Sequence, residues 1–186
     1  MSEARLSLIE RDHVVTLLTE SRDALLAEAE PLSDAQWSFR QSADRWAIGE
    51  NVEHLGLVER AIFGQVKQAL AKLANPEWET MTAGKEEVLK KKLLDRSAGR
   101  DAPAAVVPSG EVSRSEALRV FRERREEALY FAAKTGDPLK AHTEDHRRPI
   151  FGTLNTYQWL LFVAYHTMRH VDQIADVKRA PWFPPS

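Results

Sequence analysis

The segment VAYHTMRHVDQI, residues 163–174, sets His166 and His170 four residues apart in an otherwise largely apolar stretch. On a helix that spacing brings two imidazoles to adjacent turns of one face. Neutral imidazoles so placed can bind one divalent cation together. The same spacing also suits two histidines hydrogen-bonded at a helix interface, and no glutamate follows the first as in the zinc-protease pattern. A third ligand from elsewhere in the chain decides between the two readings. His54, in GENVEHLGLVER (49–60), is the best placed of the remaining four histidines. Three histidines without a fourth protein ligand leave coordination positions open, as in catalytic rather than closed structural sites. Imidazole ligation suits zinc, nickel, iron or copper, and the sequence does not choose among them.

Other groups sit close in sequence to the three. Gln173 shares a face with His166 and His170 and could orient a ligand or a bound water; an interhelix hydrogen bond would use it equally well. Glu50, one turn before His54, could accept the His54 ring N–H or serve as a base. A carboxylate in a first helical turn also simply favours the dipole. Glu50 and Gln173 are therefore the catalytic candidates, with Asn51 placed much as Glu50 is. Arg169 could attract an anion, the plainer reading being a surface ion pair with Glu53 or Asp172. His13 reads as an interior or boundary histidine. His142 and His146 fall in KAHTEDHRRP and read as solvated, or as the mouth of a pocket. Trp46 and Trp159 could wall an apolar pocket. The charged runs KKK (90–92) and RERREE (122–127) read as solvated helix faces.

Long helices must carry these groups. Apolar residues recur at helical spacing over about 3–30, where Leu6, Ile9, His13, Leu17, Leu18, Leu25 and Leu26 fall, and Pro31 ends the run. A second helix is expected over 47–73, its stripe traced by Ile48, Val52, Leu55, Ile62, Val66 and Leu70. A third is expected over 114–134, opened by a Ser113–Glu116 capping box and closed by Gly136 and Pro138. A fourth is expected over 154–179, capped by Thr153 and ended by APWFPP. No segment alternates with period two. The reading is all-α: one domain over residues 1–186, a four-helix bundle with a long crossover between helices two and three, in which 85–96 is a short helix. Such a crossover lets successive helices run parallel, giving an up-down-down-up order.

That order matters for the histidines. His54 lies roughly 10 Å from the start of its helix, and the 166/170 pair lies roughly 16 Å from the end of its own. Antiparallel helices would bring those heights together; parallel ones would separate them by about 12 Å.

Composition narrows the classes of function. There are no cysteines, which excludes disulfides, thiolate nucleophiles and cysteine-based zinc sites. A net charge of −2 gives no reason to expect nucleic acid or a membrane surface as partner. The longest apolar run, WLLFVAY (159–165), is too short to span a bilayer. A soluble cytoplasmic protein is expected.

Taken in order, RWAIGENVEHL (45–55), APAAVVPSGEVSRSEAL (102–118), FRERRE (121–126), PIFGTLNTYQWLLF (149–162) and YHTMRHVDQI (165–174) resemble the DinB-like superfamily. These are metal-binding four-helix bundles that include the bacillithiol and related thiol S-transferases. The resemblance implies an up-down-down-up bundle, frequent homodimers, and metal ligation by His54, His166 and His170. The expected cofactor is one divalent ion per chain, zinc or nickel ahead of iron, manganese or copper. Relatives often carry Ser where this chain has Ala47, and His before the proline where it has Arg148.

The functional expectation is a metal-dependent thiol S-transferase or hydrolase acting on a small molecule, with any thiol, such as a low-molecular-weight one, supplied from outside. The alternatives are a non-catalytic bundle that senses a small ligand and a structural dimer with a vestigial site.

Overall fold

The computed structural model describes residues 4–97 and 102–185. Seven α-helices follow one another: α1 (Leu8–Ala29), α2 (Asp34–Ser38), α3 (Ile48–Leu70), α4 (Trp78–Thr82), α5 (Lys85–Leu94), α6 (Arg114–Lys134) and α7 (Thr156–Lys178). A single 3-10 turn occupies Ala104–Val106, and two short strands, β1 (Thr143–Asp145) and β2 (Thr153–Asn155), pair antiparallel between α6 and α7. The protein is mostly helical, and the four longest helices are the four expected ones.

The helix starts follow from their caps. α1 begins at Leu8 because Ser7 accepts the Glu10 N–H at 3.2 Å while the Glu10 carboxylate accepts the Ser7 N–H at 2.7 Å. The expected start at Glu3 lies outside the described residues. α7 is capped by Asn155, not Thr153: Asn155 and Gln158 exchange the reciprocal bonds, and Thr153 belongs to β2. Ser113 does cap α6, but its expected box is only half formed, since Glu116 spends its carboxylate on Arg119. α3 starts at Ala47, which offers no side-chain cap; Glu50 supplies the reverse half by accepting the Ala47 N–H at 2.7 Å.

The strands were not legible as alternation. Each has three residues, too few to show a period, and the pair Thr143–Asn155 to Asp145–Thr153 closes a loop rather than building a sheet. The crossover between α3 and α6 is likewise not structureless. It holds α4, α5 and the 3-10 turn, and Leu89 and Leu93 of α5 are buried in the core. A loop of that length inside a packed domain needs such anchors.

α7 is the central element. From Thr156 to Tyr165 every residue is buried, because α1, α3 and α5 all pack on it. At one end of the molecule Lys178 of α7 reaches Glu28 of α1, and Asn51 of early α3 meets His170 of late α7. At the other end His142, next to the start of α7, reaches the carbonyl of Ala69 in the last turn of α3. α6 lies on α3 so closely that a Cβ on Gly56 would stand 3.1 Å from Val120 Cγ1. The α1 stripe departs from expectation: Val14, Leu18 and Leu25 are buried, whereas Ile9 and His13 are exposed. Among the described residues no helix is long and apolar enough to cross a membrane.

Candidate metal centre

α3 and α7 bring His54, His166 and His170 together. One ring nitrogen from each lies within 4.8 Å of the others. Ring centroids are 5.3 Å apart for His54 and His166, 4.8 Å for His54 and His170, and 4.6 Å for His166 and His170. His54 and His170 are buried, and His166 is partly exposed to the cavity it lines.

In His54 and His170 the Nδ1 nitrogen is held. His54 Nδ1 donates to the Val106 carbonyl at 2.6 Å, an acceptor that fixes the proton on Nδ1. Asn51 Nδ2 donates to the Ala47 carbonyl at 2.9 Å, which turns Asn51 Oδ1 to accept from His170 Nδ1 at 2.8 Å. In both residues the Nε2 lone pair is thereby left as the acceptor. Trp46 packs over His54 and His170, and Phe162 stacks on His166 at 5.5 Å. His166 Nδ1 and Gln173 Oε1 are buried without a hydrogen-bond partner among the described residues.

Burial holds the imidazoles neutral. It pushes His54 down, partly offset by the bond to Val106. Burial again is the main cause for His166 and His170, reinforced by their neighbouring histidines and by Arg169, and both lie well below the ordinary value. Neutral imidazoles with oriented tautomers and an orphaned nitrogen fit a divalent cation, because metal ligands must be deprotonated and turned by their outer partners. The cluster lies in the wall of a cavity of about 1390 Å³.

The remaining expected residues are distributed unevenly. Gln173 lines the cavity with the histidines. Glu50 does not serve His54: one oxygen accepts from Ala47 N–H and the other from Arg40 at 2.5 Å, and the His54 partner is a backbone carbonyl. Arg169 does not lie at the surface. It is buried, and its guanidinium donates to the carbonyls of Leu93 and Asp95 at the C-terminal end of α5. Glu53 instead accepts from Ser109 and Gly110. His142 is buried rather than solvated. His146 lines the cavity, stacked on Trp159 at 5.1 Å and packed edge-on to Phe151 at 4.6 Å, and burial pushes it down to about 4. Its Nδ1 accepts the Arg148 N–H at 2.9 Å.

Two features escaped the sequence reading. The Val106 carbonyl carries no side-chain signature. Arg125, inside the supposedly solvated RERREE, is fully buried. A signal for it existed: Leu118, Phe121, Arg125, Ala128 and Ala132 are spaced three and four apart on the buried face of α6.

Fold and site together define a helical bundle with an internal three-histidine cluster able to hold a metal ion, and the chain belongs to the DinB superfamily, whose family model matches residues 17–174. Among its relatives is the uncharacterized protein YuaE of Bacillus subtilis (strain 168), 26% identical over 165 residues that span 88% of this chain and 96% of YuaE. Among solved structures it is similar to YfiT from Bacillus subtilis, described as a probable metal-dependent hydrolase with an unusual four-helix bundle topology. That likeness has a TM-score of 0.65 at 15% identity, over 94% of this chain and 89% of YfiT.

Proposed function

We propose that the chain is a metal-dependent enzyme that acts on a small molecule in this cavity, a hydrolase or a thiol S-transferase, with His54, His166 and His170 as the metal ligands. The observation that carries the reading is the meeting of three neutral imidazoles at a cavity wall, with no carboxylate among them. YfiT, described as a probable metal-dependent hydrolase, supports the hydrolytic form. The reading takes residues 1–186 as one domain, and the helix-end contacts support an up-down-down-up order.

A divalent ion at such a site lowers the pKa of a bound water toward about 7, or holds an incoming thiol as its thiolate. The chain's own residues do the rest. Val106 and Asn51 fix two imidazole tautomers. Gln173 offers an amide oxygen that can orient the attacking group. Trp46, Trp159 and Phe162 keep one side of the cavity apolar. Glu50, held by Ala47 and Arg40, anchors the start of α3 rather than moving protons.

The test is elemental analysis of protein purified without chelator, together with its His170→Ala variant. One divalent ion per chain, zinc or nickel, is expected, and the variant should lose it while staying helical. Full occupancy in that variant would sink the reading. Turnover of low-molecular-weight thiols with monochlorobimane, set beside hydrolysis of simple esters and amides, separates transferase from hydrolase. Ligand binding without turnover of either kind would favour a sensing bundle instead.

A further inference from the structure

The charges around the cavity are unlike those of the chain as a whole. The chain is slightly acidic, and its 26 cations are seventeen arginines and nine lysines. Among the described residues the cavity is lined by Arg45, Arg96, Arg147, Arg148, Arg169 and Arg179, with no lysine, against four acidic residues. Glu144 is engaged by Lys72 from outside the lining, and Asp176 takes up Arg96 and Arg179, which leaves Arg45, Arg147, Arg148 and Arg169 against Asp44 and Asp145. The three histidines are neutral ligands and would offset none of the charge of a divalent ion. The space is therefore electropositive, and its cations are of the type that grips oxyanions through a planar fork.

Two of these arginines are presented by a built turn. Residues 146–152 link β1 to β2. Phe151 N–H donates to the Arg148 carbonyl at 3.1 Å, and Gly152 N–H to the Pro149 carbonyl at 3.0 Å. His146 N–H donates to the Gly152 carbonyl at 2.9 Å, and Lys85 Nζ to the Phe151 carbonyl at 3.0 Å. Gly152 takes φ +61°, which closes the turn. The Phe151 side chain is buried beneath it against His146 and Phe162. Such anchoring holds the backbone of Arg147 and Arg148 in place before any ligand arrives, which reduces the ordering cost of binding. Arg147 and Arg148 line the same cavity as His146, His166 and His170. The turn therefore shares one space with the three-histidine cluster.

We propose that the substrate carries an oxyanion, a carboxylate or a phosphate, and that the Arg147–Arg148 turn is the arm that holds it while the reacting group lies at the histidines. The assignment of the reacting group rests on the metal-dependent reading; the anion arm does not need the metal.

The test is calorimetric titration of the zinc-loaded chain with benzoate, phenyl phosphate and neutral benzamide. At least one anion should bind ten-fold or more tighter than benzamide. Arg148→Gln should weaken that anion by about ten-fold, the size expected for a lost charge-assisted hydrogen bond, with zinc content unchanged. Arg148→Lys should recover part of the loss, since it restores charge but not the fork. Preference for benzoate or for phenyl phosphate identifies the oxyanion. Equal binding of the three ligands would overturn the proposal. So would anion affinity unchanged in both Arg147→Gln and Arg148→Gln, or lost only in His170→Ala. If the chain takes up no zinc, the metal-dependent reading fails by itself, and benzoate affinity that still depends on Arg148 leaves the anion arm standing.

Discussion

Two polar clusters sit inside the same bundle, both on α3 and α7, and they are built on opposite rules. One is closed. Arg125 of α6, fully buried, places its guanidinium against the Glu59 carboxylate at 2.5–3.2 Å and donates also to the Leu18 carbonyl, Ser21 Oγ and Thr167 Oγ1. Every guanidinium nitrogen has a partner, and α1, α3, α6 and α7 are joined at one point. The other is open. His54 and His170 satisfy their Nδ1 nitrogens on Val106 and Asn51, one ring nitrogen from each of the three histidines lies close to the others, and His166 Nδ1 has no hydrogen-bond partner among the described residues. Buried polar groups are normally paired because an unpaired one costs about 1–3 kcal/mol. A protein that meets this rule fully with Arg125 and breaks it at His166 is using the two places differently. The first joins four helices at one point; the second leaves ring nitrogens close together at a cavity wall, the arrangement the proposed metal would use.

The largest effect should come from breaking the closed cluster. Glu59→Ala leaves Arg125 buried without its counter-charge and should cost about 3–5 kcal/mol, read as the loss of unfolding free energy in urea. Replacing both partners by apolar residues, Arg125→Met with Glu59→Leu, should cost clearly less, because no uncompensated charge remains. A double variant as unstable as the single one would mean that the bonds to Leu18, Ser21 and Thr167 dominate instead.

In the open cluster the prediction concerns binding rather than folding. Asn51→Ala removes the acceptor that orients His170 and should weaken metal affinity roughly 10–100-fold, measured by competition with a chromogenic chelator. The melting temperature of the metal-free protein should change far less than in Glu59→Ala. Equal metal affinity in wild type and variant would show that the His170 tautomer needs no help from Asn51.

Acid should separate the clusters further. The three histidines and His146 are held below the free imidazole value of 6.5 by burial. As pH falls below 6.5 the unfolded chain therefore takes up protons that the folded metal-free chain refuses, and stability present above that pH is lost. The His146 share of the loss is complete near its folded value of about 4. Melting temperature recorded from pH 7 to pH 4 should drop in the metal-free wild type and drop less in His146→Gln. Parallel curves would place the acid sensitivity elsewhere.

The smallest effect concerns the end of α3 that bears the open cluster. Ala47 caps that helix without a side-chain bond. Ala47→Ser should add about 0.5–1 kcal/mol of stability and leave metal affinity unchanged, as read by thermal melting and chelator competition. A change in metal affinity would couple the cap to Asn51, whose amide bonds the Ala47 carbonyl.

Much of this was legible in the chain itself. Apolar spacing of three and four marks α3, α6 and α7, because a helix repeats every 3.6 residues and one face must leave water. The same rule makes His166 and His170 neighbours, since four residues slightly overshoot one turn. Local chemistry was legible too where it is self-contained, as in the Ser113 cap. It misled where partners compete or a start is displaced: Glu116 took Arg119 instead of its helix start, and α7 begins at Thr156, two residues later than expected, so Asn155 with Gln158 three residues on forms its cap.

Tertiary structure alone decided what depends on groups far apart in sequence. That Val106, 52 residues away, supplies the carbonyl for His54, that Arg125 is buried although its sequence neighbours are charged, and that a short turn carries two arginines to the cavity are results of packing. Periodicity reports which face of an element leaves water. It does not report which distant backbone or charge comes to meet that face, because that contact costs chain entropy that only the assembled core can offset.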